Sequence, residues 1–259
     1  VRYRMAGDDG SFTVNLSRRP ETGSELSYAG LRDPWTGAVW GGVRRDGLDG
    51  HSSIDIGPVN LFADVGAALL TGRNVASNSG VTLRTGVSAP LLERADMKLS
   101  TGAVGNAWHY ANNLRYYTFG QGGYYSPQRY LSLGFPVEWQ GRRGGLRWDL
   151  TATVGVSNSY ERSSPIYPNG LPGSVSLQSP GGLPPNPAGS TRGVSFLYGL
   201  TGTVDYRFNP HLVAGLMFDI DRSHDYAPSS AMIYVRYNHD ARKPDTSLSP
   251  TPTRLYSSY

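Results

Sequence analysis

Val194-Ser195-Phe196-Leu197-Tyr198-Gly199-Leu200-Thr201-Gly202-Thr203-Val204-Asp205-Tyr206-Arg207-Phe208 is the stretch that decides the fold. Val194, Phe196, Tyr198, Leu200, Val204, Tyr206 and Phe208 fall on one side of an extended chain, and Ser195, Thr201, Thr203, Asp205 and Arg207 on the other. A period of two marks a strand with one apolar and one polar face. Residues 146–160 repeat it, with Leu146, Trp148, Leu150, Ala152, Val154 and Val156 opposing Arg147, Asp149, Thr151, Thr153, Ser157 and Ser159. Segments 81–91 and 129–139 follow, then 11–17, 60–70, 97–108, 211–220 and 230–238, with shorter candidates at 1–6, 38–44 and 51–57. The pattern predicts about twelve strands and no amphipathic helix.

Several of these segments exceed ten residues, whereas a globular strand usually has about five or six and a bilayer-crossing strand needs roughly nine to eleven. Aromatic residues gather at their ends: Trp108 and Tyr110, Tyr130 and Trp139, Trp148 and Tyr160, Tyr206 and Phe208, Tyr234 and Tyr237. Interfacial girdles of membrane barrels have this distribution. Connections alternate in length. Arg207 to Pro210, Gln140 to Gly145, Leu92 to Asp96 and Gly57-Pro58 are tight; Thr71 to Ser79, His109 to Gln128, Glu161 to Arg192 and Arg222 to Ser229 are longer. Short turns at one end and long loops at the other are a barrel's arrangement. Pro20 to Gly37 breaks the alternation: counting back from the last strand puts this long connection on the short-turn side. A further short strand near Leu26 to Tyr28 would relieve that.

The expected fold class is therefore all-β, a transmembrane antiparallel β-barrel over residues 1–240, followed by a tail over 241–259. Pro244, Pro250 and Pro252 exclude a regular ladder strand from the tail. Leu255, Tyr256 and Tyr259 are expected to hold it against the mouth or the lumen.

Composition agrees. The chain has 259 residues, a net charge of +4, no cysteine, 33 glycines and 17 tyrosines. Without cysteine there is neither a disulfide framework nor a thiolate ligand for a metal or cofactor. The basic residues form no run longer than Arg44-Arg45 or Arg142-Arg143, which argues against a nucleic-acid partner. Mean hydropathy is −0.38 and no run of about 18 apolar residues occurs, excluding a transmembrane helix but not a barrel, whose strands average apolar with polar positions. The chain starts at Val1 without a signal peptide, so the sequence reads as an N-terminally truncated piece whose targeting signal lay upstream.

Asp64, Arg84, Glu138, Arg147, Asp149, Asp205, Arg207, Asp219 and Arg236 all oppose the apolar residues of their strands, which assigns them to a polar lumen. Enzyme signatures are weak: the five histidines are scattered, and no HExxH, GxSxG or phosphate-binding loop occurs. The alternative enzymatic reading rests on Asp219, Asp221, His224 and Asp225 near one rim; a diffusion porin is a third reading. The most unusual segment is Arg115 to Gln128. Its aromatics (Tyr116, Tyr117, Phe119, Tyr124 and Tyr125) are interleaved with Gly120, Gly122 and Gly123. Tyrosine joins an apolar face to a hydroxyl, which suits stacking on a sugar ring. Tyr116, Tyr117, Phe119, Tyr124 and Tyr125, with Arg115 and Gln128, are expected to contact or gate a sugar-bearing cargo at the long-loop end, although the same composition also fits a loop that packs on itself.

Asn113-Leu114-Arg115-Tyr116-Tyr117-Thr118-Phe119-Gly120-Gln121-Gly122-Gly123-Tyr124-Tyr125-Ser126-Pro127-Gln128-Arg129-Tyr130 resembles the signature of the C-terminal domain of cellulose synthase operon protein C. Ser17-Arg18-Arg19-Pro20, Leu26-Ser27-Tyr28-Ala29-Gly30, Trp40-Gly41-Gly42-Val43, Leu70 to Val75 and Met232 to Tyr237 match in order along the chain. The resemblance implies a barrel of about sixteen strands in the bacterial outer membrane that exports cellulose. It also implies periplasmic tetratricopeptide repeats upstream and an inner-membrane cellulose synthase complex as partners. It implies no catalytic residue, cofactor or metal.

Overall fold

The structure, a computed structural model, describes residues 1–7, 9–34, 37–170, 188–222, 229–240 and 247–250. Its strands are β1 (Arg2–Ala6), β2 (Gly10–Pro20), β3 (Leu31–Arg32), β4 (Val39–Ile56), β5 (Val59–Arg73), β6 (Asn78–Arg94), β7 (Met97–Tyr110), β8 (Arg129–Arg143), β9 (Leu146–Glu161), β10 (Thr191–Arg207), β11 (Leu212–Arg222) and β12 (Ser229–Tyr237). One helical turn, α1 (Glu25–Tyr28), precedes β3. The fold is all-β: one twelve-stranded antiparallel sheet in the order β1-β2-β4-β5-β6-β7-β8-β9-β10-β11-β12, with β3 on β4. Every neighbour along the path is the next strand in sequence except where β3 intervenes, so the sheet is an up-and-down meander. Among the described residues no helix is long and apolar enough to cross a membrane.

β4 corrects the sequence reading. The candidates 38–44 and 51–57 are parts of one 18-residue strand. Asp46-Gly47 and Asp49-Gly50 look like turn dipeptides, yet they run straight through in register with β2 and β5. Nor is there a strand at Leu26 to Tyr28. Ser24 caps α1 there: its hydroxyl accepts from the Ser27 amide while the Ser27 hydroxyl accepts from the Ser24 amide. Merging the two candidates reverses the strand count upstream. The connection 21–38 then lies at the same end as 74–77, 111–128 and 162–190, and the anomaly at Pro20 disappears.

Alternation sorts the side chains onto two faces. Val65, Leu69, Leu83, Leu133, Phe135, Val154, Phe196, Leu200, Leu216, Ile233 and Val235 are all exposed on one of them. The other face is concave: residues of β6 through β11 line a single cavity, so the sheet curls around it. This exchange of roles, apolar outside and polar inside, inverts a soluble sandwich. Burying the exposed set in lipid would recover the roughly 25 cal/mol per Å² that water denies it.

The only sizeable buried apolar cluster among the described residues caps the concave face at the long-loop end. It joins Leu26 of α1, Trp40 and Val43 of β4, Leu70 of β5, Val75, and Leu114, Phe119 and Tyr124 of the loop 111–128.

Candidate functional site

The concave wall is built from the inward positions of each strand. Register puts Asp64 opposite both His51 and Arg84, and Asp205 opposite Arg147. Five acid–base pairs lie along this face, three of them between these opposed residues. Arg147 Nε and Nη2 donate to Asp205 Oδ1 and Oδ2 at 3.0 and 2.9 Å. The Tyr234 hydroxyl reaches the same carboxylate at 3.3 Å. Tyr234 crosses β11 at Gly215, where a Cβ would lie 2.4 Å from its ring carbon Cζ. Asp64 holds His51 at 2.5 Å and Arg84 at 3.4 Å, Arg45 meets Asp49 at 3.1 Å, and Arg115 meets Glu161 at 2.6 Å. Gln140 donates to both Glu138 and Asp149, at 3.1 and 3.3 Å. Arg207 donates to the Asn209 carbonyl in the adjoining turn. Arg236 shares the inward parity of Tyr234.

A cavity of about 890 Å³ opens along this wall toward the long-loop end. Arg84, Arg115, Tyr117, Tyr124, Tyr125 and Asp219, all singled out from sequence, line it, and so does Asp221. Glu138, Arg147, Asp149, Asp205, Arg207 and Arg236 belong to the same face but not to its lining. His224 and Asp225 lie outside the described residues, as do Leu255, Tyr256 and Tyr259 of the tail. Among the described residues no group of three His, Cys, Asp or Glu side chains could hold a metal ion.

The rest of the lining divides into two chemistries. Ser132, Thr151, Thr153, Ser157, Ser159 and Thr201 present hydroxyls from β8, β9 and β10, and Asn106 an amide from β7. Above them, toward the loops, sits an aromatic group. Trp108 and Tyr130, directly opposite on β7 and β8, stack with centroids 4.5 Å apart. Tyr125 stands edge-on to both at 6.5 and 6.4 Å. The Arg115 guanidinium lies 5.6 Å from the Tyr125 ring centre while paired to Glu161, which fixes that ring. Four aromatics of the strand-end clusters expected to form a girdle point the other way: Trp108, Tyr110 and Tyr130 face the cavity, and Tyr234 turns inward to Asp205. For Trp108 and Tyr110, β7 misleads because Gly102, Ala103, Val104, Gly105 and Ala107 give it too little contrast to read its parity, whereas alternation with Leu131 and Leu133 already turns Tyr130 inward.

The loop 111–128 is a folded cap, which changes the expected roles within it. Phe119, Tyr124 and Gln128 are buried braces. Phe119 packs on Trp40 at 5.9 Å. Asn78 donates to the Tyr124 hydroxyl at 3.2 Å, and burial raises the Tyr124 phenol well above its ordinary pKa. Gln128 accepts from the Arg162 amide and donates to the Ser126 carbonyl. Gln121, fully buried, donates to Ser164 and to the Pro165 carbonyl, latching this loop to the next long one. Gly123 has φ +70, and a Cβ there would come within 2.9 Å of Leu26. Tyr116 does not reach the cavity lining; Tyr117, 57% exposed, does.

Residues 1–240 match the family model of the cellulose synthase operon protein C C-terminus. The chain is 36% identical over 253 residues to cellulose synthase operon protein C of Escherichia coli K12, covering 96% of this chain and 22% of that protein. It is 34% identical over 274 residues to the protein of the same name from Xanthomonas axonopodis pv. citri, covering 100% of this chain and 18% of that one. It is 33% identical over 233 residues to cellulose synthase 2 operon protein C of Komagataeibacter xylinus, covering 88% and 17%. The chain thus spans about a fifth of the curated relatives it matches. On this coverage, it belongs to the family of the cellulose synthase operon protein C C-terminus.

Proposed function

We propose that this chain forms the wall of an outer-membrane channel that exports cellulose, a β-1,4-glucan, during its synthesis. In this reading the exposed apolar face meets membrane lipid and the concave face meets the glucan. Periplasmic tetratricopeptide repeats and an inner-membrane synthase complex supply the polymer. The chain acts as a conduit and takes no part in bond making. Membership of a family named for a cellulose synthase operon supports the polymer's identity.

The observation that carries the reading is the stack of Trp108, Tyr130 and Tyr125 above a wall of hydroxyls. Pyranose rings offer apolar C–H faces and equatorial hydroxyls, so they pair with ring faces and short polar groups together. A sliding polymer needs contacts that are weak and repeated. The paired charges of the wall favour a neutral cargo over the ions of a diffusion porin, because little uncompensated field remains.

Calorimetric titration of the full-length protein in detergent with cellohexaose tests this. Binding is expected, and W108A or Y130A should weaken it about three- to tenfold, the worth of a lost aromatic contact. Maltohexaose, whose α-1,4 links curl the chain, should bind less. Absence of cellohexaose binding, or equal binding by both variants, would contradict the reading.

A further inference from the structure

The outer face carries a charge pattern that glucan export does not use. Outward positions on β7, β8, β9 and β10 are apolar or neutral along almost their full length, and none holds Asp or Glu. Their charged exceptions at the long-loop end are Arg129 and Arg192, with His109 beside them; at the short-turn end there is only Arg143. Tyr160 of β9 pairs with both Arg129 of β8 and Arg192 of β10, so the three stand in one row across adjacent strands. Directly opposed residues lie about 5 Å apart, which separates the two arginine Cα atoms by roughly 10 Å.

Both guanidiniums are held by neutral groups. Arg129 Nη2 donates to Asn158 Oδ1 at 3.0 Å, and Arg192 sits 5.4 Å from the Tyr160 ring centre. By contrast, Arg18 and Arg44, outward at the same end on β2 and β4, share the carboxylate of Asp46 at 2.5 and 3.0 Å. The row Arg129-Tyr160-Arg192 therefore keeps its positive charge while its side chains are oriented. Immediately below it, Leu131, Val156, Val194 and Phe196 are exposed, Val194 by 76% and Phe196 by 66%. A cationic row over an apolar surface is complementary to a molecule with an anionic head and hydrocarbon tails.

We propose that this patch binds a lipid whose head group carries a phosphomonoester, with Arg129 and Arg192 as the phosphate ligands and Val194, Phe196, Leu131 and Val156 as the acyl contacts. The site rests on the reading of this face as lipid-facing. Guanidinium matches phosphate through paired N–H donors, and a phosphomonoester carries close to two negative charges near neutral pH, one for each arginine. The lipid is held at the long-loop end alone, since the opposite rim of the same strands offers Trp139, Trp148, Tyr206 and Phe208.

The test is native mass spectrometry of the full-length protein released from micelles containing dioleoyl phosphatidic acid and dioleoyl phosphatidylcholine. A parallel assay measures insertion into pure phosphatidylcholine vesicles. The wild type should retain phosphatidic acid in preference. R129Q/R192Q should lose that preference by about tenfold, as expected when charge-assisted bonds are removed. R143Q should keep it. R129K/R192K, which keeps charge but not the paired donors, should fall between. Insertion without any wild-type preference would overturn the site and leave the channel reading standing, whatever the variants do. Equal retention by R129Q/R192Q, or equal loss in R143Q, would likewise overturn it. Failure to insert at all would overturn both.

Discussion

Asp205 shows how a single inward position is made to hold a charge. Its side chain is fully buried, its two oxygens are taken by Arg147, and Tyr234 reaches it only because Gly215 leaves room on the strand between. Removing one member of such a pair strands the other without water, a loss of about 3–5 kcal/mol. D205A should therefore lower the urea midpoint of the protein in phosphatidylcholine vesicles, read by intrinsic fluorescence, and an unshifted midpoint would show that Arg147 finds water. Tyr124 makes a second residue-scale case. Its phenol is buried in the cap and its pKa is raised from 10.0. A raised folded-state value means that stability is fully present below the unfolded value and lost as pH climbs beyond it. Cap protection in hydrogen exchange should be flat up to about pH 10 and fall above it. Y124F should remove the part of that fall due to this residue; an identical fall in Y124F would assign it elsewhere.

At the scale of elements, β4 is the informative strand. Residues 45–50, which separate the candidates 38–44 and 51–57, hold Asp46-Gly47 and Asp49-Gly50, dipeptides that favour turns by local preference only. Pairing on both edges overrides that preference, because Leu16, Leu48 and Ala67 stand in one row and Asn15, Asp49 and Gly66 in the next. Since the chain has no cysteine, single cysteines placed in β4 can be tracked on their own peptides by mass spectrometry. In vesicles, L48C should resist a water-soluble maleimide while S53C, on the concave face, reacts. Reaction of both would restore the turn. The long strands with strong contrast, β8, β9 and β10, were legible to within a few residues because every second side chain carries the information. What could not be read was local: α1 rests on one capping box, β3 is two residues long, and weak contrast in β7 hid the inward direction of Trp108. Composition singled out Arg115 to Gln128, most of the loop 111–128. Which of its rings support the cap, and which meet the cavity, depends on contacts with Leu26, Trp40, Asn78 and Ser164 that no local pattern encodes.

As a whole, the molecule combines an apolar outer face, a concave face with locally paired charges, and a cap at the long-loop end beside an aromatic stack. These suit an uncharged, stiff polymer moving past renewable contacts. The direct measurement is single-channel current from the full-length protein in planar bilayers, with cellohexaose added to one chamber. The account predicts discrete conductance steps that cellohexaose interrupts, with block that hardly changes when the voltage is reversed because the sugar is neutral, and that is shortened in W108A/Y130A. Absence of steps, or steps that cellohexaose leaves untouched, would contradict it.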